Sequence, residues 1–344
     1  MANTTICLYG RSGTFKTTQI GFLSQYIYER TGKITRLISA DGGGWKPLLP
    51  YIEGGLIEPY SIRNEANPIF TLHKLVQGYW PTKLESGKRL SKEFSLDTSN
   101  IGAYAIEGVT TISELIIDHL AGKKLGMNPA YSLTLTASGE SITSGQESVK
   151  KFDAGEKFID TQGQALGDVI SGAYSQDHYG YVQKTVIEKL VMSWNLPVEL
   201  VLWTSHEATA EDDLTRTAIY GPALVGKKGT PKIGRNVGVL IHAEPFNVTK
   251  PNAPNTKPIE ATEVRYYFMS HPNQLMPKVT WECKPRIPSV LMPELLKKWP
   301  DAYFTPTVTK GLDEYLRLED SLINKGTNDI REWKQKLDAA KNIK

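Results

Sequence analysis

The chain has 344 residues, with 40 basic and 37 acidic side chains and a formal charge of +3 at neutral pH. That balance excludes a nucleic-acid binder working by global charge, so any such surface has to be a local patch. At 40% hydrophobic and 22% charged the chain can bury a core, and its length exceeds the ~100–200 residues of one ordinary domain.

From the N-terminus, TTICLY (4–9) is a short apolar, β-branched run ahead of glycines and predicts a buried strand. The next segment carries Ile20, Leu23 and Ile27 on a helical period and stops at Gly32. KITRLISADGGG (33–44) is a second strand ending in glycines, and 101–120 is a third running into a helix. Residues 181–197 predict a helix closed by Asn-Leu-Pro, followed by strands over 198–208 and 236–244. Strands alternating with helices predict an α/β fold with a mostly parallel central sheet and helices on both faces.

Two segments, 122–180 and 207–235, read as long irregular stretches, and such stretches inside a compact domain are usually functional. Residues 247–260 carry three prolines and three asparagines and read as a linker. EVRYYFMS and PKVTWECKPR look like a pair of strands. From about residue 310 a charged helix is expected, its mixed charges read as a solvated face. The expected division is a core over 1–246, a linker over 247–262, a β extension over 263–305 and a helical tail over 306–344. Cys7 and Cys283 read as reduced thiols. The absence of an 18-residue apolar run, and of room for a signal peptide before the first strand, predicts a cytoplasmic protein without a membrane partner.

Five places carry chemistry. In LYGRSGTFKTTQ (8–19), Gly10, Lys16 and Thr17 fit the phosphate-loop pattern G-x-x-x-x-G-K-[ST], with Phe15 at the second glycine. A strand, a glycine turn and a helix would aim the backbone of Gly10, Arg11, Ser12, Gly13, Thr14, Phe15, Lys16, Thr17 and Thr18 at an anion. Lys16 would meet the β- and γ-phosphates, and the Thr17 hydroxyl a Mg²⁺ ion. Phe15 begins the helix, where a negative φ would leave room for its β-carbon. The plain alternative is a strand-turn-helix with a Ser or Thr cap.

Glu107 ends a mostly apolar strand, where a phosphate-loop enzyme needs a carboxylate for its metal; it could instead act as a base, or be a surface acid at a strand terminus. Asp41 ends the strand after the first helix and could orient an attacking water, or simply form a turn before glycines. His206 follows the strand VELVLWTS and could sense the γ-phosphate; a structural histidine is the alternative. Lys227, Lys228, Lys232 and Arg235 stand without an acid between 226 and 235. That loop could touch DNA phosphates, reach into a neighbour's nucleotide site, or be merely solvated. Trp45 reads as a core or hinge residue, with packing on a base or a neighbouring subunit as the alternative.

The order of these elements resembles the RecA-like P-loop ATPases. The resemblance assigns Gly10–Thr17 to the phosphate loop, Asp41 to the catalytic acid, Glu107 to the metal acid and His206 to the sensor. The two acids are exchanged in type relative to that family. A narrower resemblance is to RecA-like ATPases encoded by bacteriophages, including those that assist single-strand annealing. It is carried by SQDHYGYVQKTVIEKLVMSWNLP with TSHEA, by GPALVGK and IGRNVGVLIHAE, and by SHP, W and KPRIP later on. It covers roughly residues 5–290. It implies ATP and Mg²⁺ as cofactors, DNA-stimulated hydrolysis, single-stranded DNA as partner, and a homo-oligomeric ring or filament. In it, Lys227, Lys228 or Arg235 would complete a neighbour's site. It further implies phage recombination or replication proteins as partners and, if phage-encoded, the host cytoplasm as location. The alternatives are a nucleotide-binding assembly protein with little or no hydrolysis, and a helicase or DNA-packaging motor subunit.

Overall fold

A computed structural model describes residues 4–341, except 42–44, 82–93, 121–156, 160–164, 169–175, 212–217, 226–232, 235, 251–258, 273–279, 288 and 308. Strands β1 (Thr4–Gly10), β2 (Ile34–Ser39), β3 (Ile57–Ser61), β4 (Ile101–Glu107), β5 (Leu200–Ser205) and the start of β8 (Val239–Lys250) run parallel in one sheet. Two further strands, β9 (Ile259–Tyr267) and β12 (Tyr303–Phe304), extend it antiparallel beyond β8. The sheet order is β12-β9-β8-β1-β5-β4-β2-β3. The first strand therefore lies in the interior, between β5 and β8.

Alternation along the strands builds two cores. Ile6 and Leu8, with Ala103, Leu202 and Ile241, face helix α1 (Lys16–Thr31). Cys7 and Tyr9, with Tyr104, Val201 and Leu240, face α3 (Val109–Leu120) and α4 (Gln176–Met192). Helices thus cover both faces of a large, mostly parallel sheet, an α/β architecture. Helix α2 (Pro68–Val76) joins the α3 side. A smaller sheet, ordered β6 (Glu207–Glu211), β7 (Ala218–Pro222), β11 (Thr280–Trp281) and β10 (His271–Pro272), packs on the same side through Trp281.

Three expectations are corrected. Residues 247–250 and 259–262, read as linker, are strand: Asn247 pairs with Thr262 and Lys250 with Ile259. The ribbon's inner end is anchored by the buried Val264 and Tyr266, which composition alone does not reveal. The two late segments that look like a pair of strands lie in different sheets, Glu263–Tyr267 in the large one and Thr280–Trp281 in the small one. The tail helix α5 (Leu312–Lys341) is not wholly solvated. Leu312, Tyr315, Leu316, Glu319 and Leu322 form a buried stripe, with Leu312, Tyr315, Leu316 and Leu322 in the α1-side core. The buried Gln19 of α1 accepts the Leu312 N–H at 2.8 Å, while Tyr26 and Arg30 reach Asp320 and Glu29 pairs with Arg317. Trp45 packs at the edge of that core. Cys7 and Cys283 are free thiols. Among the described residues, no helix is long and apolar enough to cross a membrane.

Candidate nucleotide site

The loop between β1 and α1 is built by backbone constraints. A β-carbon on Gly10 would stand 2.1 Å from the Ala243 carbonyl oxygen, so only glycine lets β1 leave the sheet here. Gly13 has φ +79°, the left-handed region. The Thr14 hydroxyl closes the turn on the Arg11 carbonyl at 2.8 Å. From β9, the buried Tyr266 hydroxyl donates to the Thr14 carbonyl at 2.5 Å and holds the loop from outside.

Phe15 does not have the negative φ expected of it. It sits at φ 58°, ψ 25°, the left-handed conformation that glycine adopts without strain. Its ring is 60% exposed, so burial returns little of that strain. Phe15→Gly should raise the free energy of unfolding by about 1 kcal/mol, the strain relieved exceeding the extra flexibility of the unfolded chain. A urea titration showing equal or lower stability for the variant would count against this backbone assignment.

Lys16 donates from Nζ to the Gly10 carbonyl at 2.9 Å, the Arg11 carbonyl at 2.6 Å and Thr14 Oγ1 at 3.3 Å. Burial pulls its ammonium down to about 8, with Glu207 and Glu107 opposing. Thr17 Oγ1 donates to Glu107 Oε1 at 2.5 Å. Glu107 lies buried at the end of β4, and burial raises its carboxyl above the ordinary value. Its Oε2 is buried and makes no hydrogen bond among the described residues. Asp41 is exposed past the end of β2, its N–H donating to Ser39 Oγ at 2.9 Å. His206 stands at the corner between β5 and β6, and burial followed by the nearby Lys16 lowers its pKa.

Ser12 to Thr18, Asp41, Glu107 and His206 surround one cavity of about 260 Å³. Thr204 and Thr111 are also in its wall. Thr204 Oγ1 accepts the Gly108 N–H at 2.9 Å and so fixes the turn after Glu107. The Thr110 hydroxyl is a node: it accepts the His206 N–H at 3.0 Å, lies 3.1 Å from Ser205 Oγ and donates to the Ala223 carbonyl at 2.9 Å. The corner beside the cavity is thereby tied to the chain leading to residues 226–235. Lys227, Lys228, Lys232 and Arg235 lie outside the described residues.

Sequence reasoning missed Glu207. Its Oε1 accepts Arg11 Nε at 2.9 Å and its Oε2 lies 3.2 Å from His242 Nε2. Burial pushes its carboxyl up, but the bonds from His242 and Arg11 outweigh it and hold the group below its ordinary value. The sequence signal was the acid directly after His206, hidden by reading 198–208 as one strand.

The cavity thus lies between the N-terminus of α1 and a buried strand-end carboxylate. No family model matches the chain, and no curated protein matches it. Solved structures similar to it include a KaiC-like protein from Pyrococcus horikoshii, at 10% identity over 76% of this chain and 78% of that one, with a TM-score of 0.33. Another is the flagellar accessory protein FlaH of Methanocaldococcus jannaschii, at 10% identity over 77% of each chain and a TM-score of 0.30. The RadB recombinase is a third, at 9% identity over 76% of this chain and 87% of that one, with a TM-score of 0.33. Likeness at this level assigns no function.

Proposed function

We propose that the chain binds ATP on residues 10–18 and hydrolyses it with Mg²⁺, in work on DNA. The observation that carries this reading is the Thr17 hydroxyl bonded at 2.5 Å to a buried strand-end carboxylate, beside a lysine folded over a glycine turn. An ordinary helix cap would not need a second, buried acid there.

The donors at this point are oxygens only, a hydroxyl and a carboxylate whose Oε2 is buried without a hydrogen bond. That set fits a hard cation such as Mg²⁺. Thr17 and Glu107 would hold it, and the ion would supply positive charge against the phosphates. The unpaired N–H groups at the start of α1 cradle the phosphate oxygens, and Lys16 adds its charge to them. Asp41, exposed at the cavity edge, orients the attacking water and accepts its proton. His206 reads the γ-phosphate and, through its N–H on Thr110, passes a shift toward Ala223.

DNA as partner, a role in recombination or annealing, and assembly into a ring or filament rest on the sequence resemblance. The basic residues 227–235 would touch DNA or a neighbour's nucleotide. The test is an ATP-hydrolysis assay with and without single-stranded DNA, beside a mass measurement with and without nucleotide. Turnover stimulated by DNA, with assembly, is expected. Binding without turnover would favour the assembly-protein reading, and no ATP binding would remove the site. Neutralising Lys227, Lys228 and Lys232 together should reduce the slope of log affinity against log salt by up to about 2–3. An unchanged slope would take that loop out of the DNA contact.

A further inference from the structure

A second cluster lies where the large and small sheets meet, on the side of β8 away from α1. His242 and Glu244 are two residues apart on β8 and share a face, while His271 arrives from β10. His242 is fully buried, stacked on Trp281 with ring centroids 3.7 Å apart. His242 Nδ1 lies 3.3 Å from His271 Nε2, and one ligand atom from each of His242, Glu244 and His271 falls within 4.8 Å of the others.

We infer that His242, His271 and Glu244 form a binding site for a divalent transition-metal ion of the zinc class. The first argument is the tautomer. His242 Nε2 lies 3.2 Å from the Glu207 carboxylate, which can only accept, so the ring proton sits on Nε2 and the Nδ1 lone pair faces His271. A carboxylate behind the far nitrogen of a histidine is the usual support of a metal-bound imidazole. The second is distance. Two nitrogens bound tetrahedrally at 2.0–2.1 Å stand about 3.3–3.4 Å apart, as these two do. The third is Glu244, whose Oε2 is buried with no hydrogen bond among the described residues. The nearby cations are engaged elsewhere, Arg265 with Glu263 at 2.8 Å and Arg11 with Glu207 at 2.9 Å. Two imidazoles and a carboxylate suit Zn²⁺, whereas the all-oxygen pair at Thr17 suits Mg²⁺. Three protein ligands leave one coordination position for water.

The competing arrangement is a plain hydrogen bond from His271 Nε2–H to His242 Nδ1. Co²⁺ titration of the tag-free, chelator-treated full chain separates the two. One Co²⁺ per chain with visible d–d bands, displaced by Zn²⁺, is expected. His271→Gln and Glu244→Gln should each weaken Co²⁺ binding by at least about tenfold, with melting temperatures recorded beside them to exclude unfolding. Thr17→Ala should leave the bands unchanged. No Co²⁺ uptake up to millimolar concentration would overturn the inference, as would wild-type affinity in both ligand variants. Bands lost in Thr17→Ala but kept in His271→Gln would place the ion at the phosphate loop and overturn it equally.

Discussion

Lys16→Ala should leave a folded chain that has lost ATP turnover by about 10²-fold or more, the scale of removing one preorganised charge contact from a reacting group. The side chain spends its hydrogen bonds on the Gly10 and Arg11 carbonyls and on Thr14, all within the loop, and contributes nothing to either hydrophobic core. Burial already costs the ammonium, whose pKa is pulled down to about 8, so alanine should not lower the melting temperature. The same number fixes a pH dependence. Phosphates beside the amine favour its charged form, so above about pH 8 nucleotide binding takes up a proton, and affinity falls by up to tenfold per pH unit. Folding runs the opposite way: stability from this group increases between about pH 8 and 10.5, where the unfolded chain holds the extra proton. Nucleotide titrations of wild type and variant from pH 7 to 9.5 check the first, and denaturant unfolding over the same range checks the second. Wild-type turnover in the variant would remove Lys16 from the site, and a pH-independent affinity would contradict its desolvation.

Glu319→Gln should stabilise the protein above pH 7 by up to about 3 kcal/mol. Glu319 is 1% exposed on the buried face of the tail helix, and burial raises its carboxyl to about 7 against an ordinary 4.5. Arg286, 3.5 Å away, pulls it down, Asp320 pushes it up, and the Tyr315 hydroxyl sits 3.5 Å from Oε1. Below about pH 4.5 both folded and unfolded chains hold the proton, and the group is neutral in effect. As pH rises toward 7 the unfolded chain ionises first, so stability falls by about 1.4 kcal/mol per unit over some two and a half units. Glutamine keeps the shape and removes the titration. Denaturant unfolding at pH 4 and pH 8 should show little difference between the two proteins at the lower pH and nearly the full difference at the higher. Equal pH profiles would mean that Glu319 is solvated.

The parallel centre was legible because Thr4–Gly10, Ile101–Glu107 and Leu200–Ser205 are continuous apolar runs buried on both faces. Strand β3 escaped notice because it lies at the sheet edge, carries Pro59 and buries only Ile57 fully. In the tail, a buried acid within the apolar stripe disguised it as surface. Of the candidate site, the loop, Asp41, Glu107 and His206 each follow a strand end, and strand ends can be read locally. Tyr266, Glu207 and His242 could not be read that way, since each matters through a partner more than thirty residues distant in sequence.

The placement of β1 between β5 and β8 bears on how the chain folds during synthesis. Thr4 pairs with Leu200, and Ile6 pairs with Val239. Strand β1 therefore receives its two neighbours only after residues 200 and 239 have been translated. Contacts so far apart in sequence are slow to close. Until they close, an apolar strand with both edges open is a template for pairing with other chains. Fragments that stop before residue 239 should accordingly precipitate, and the phosphate loop becomes shaped late, when Ala243 finally lies beside Gly10.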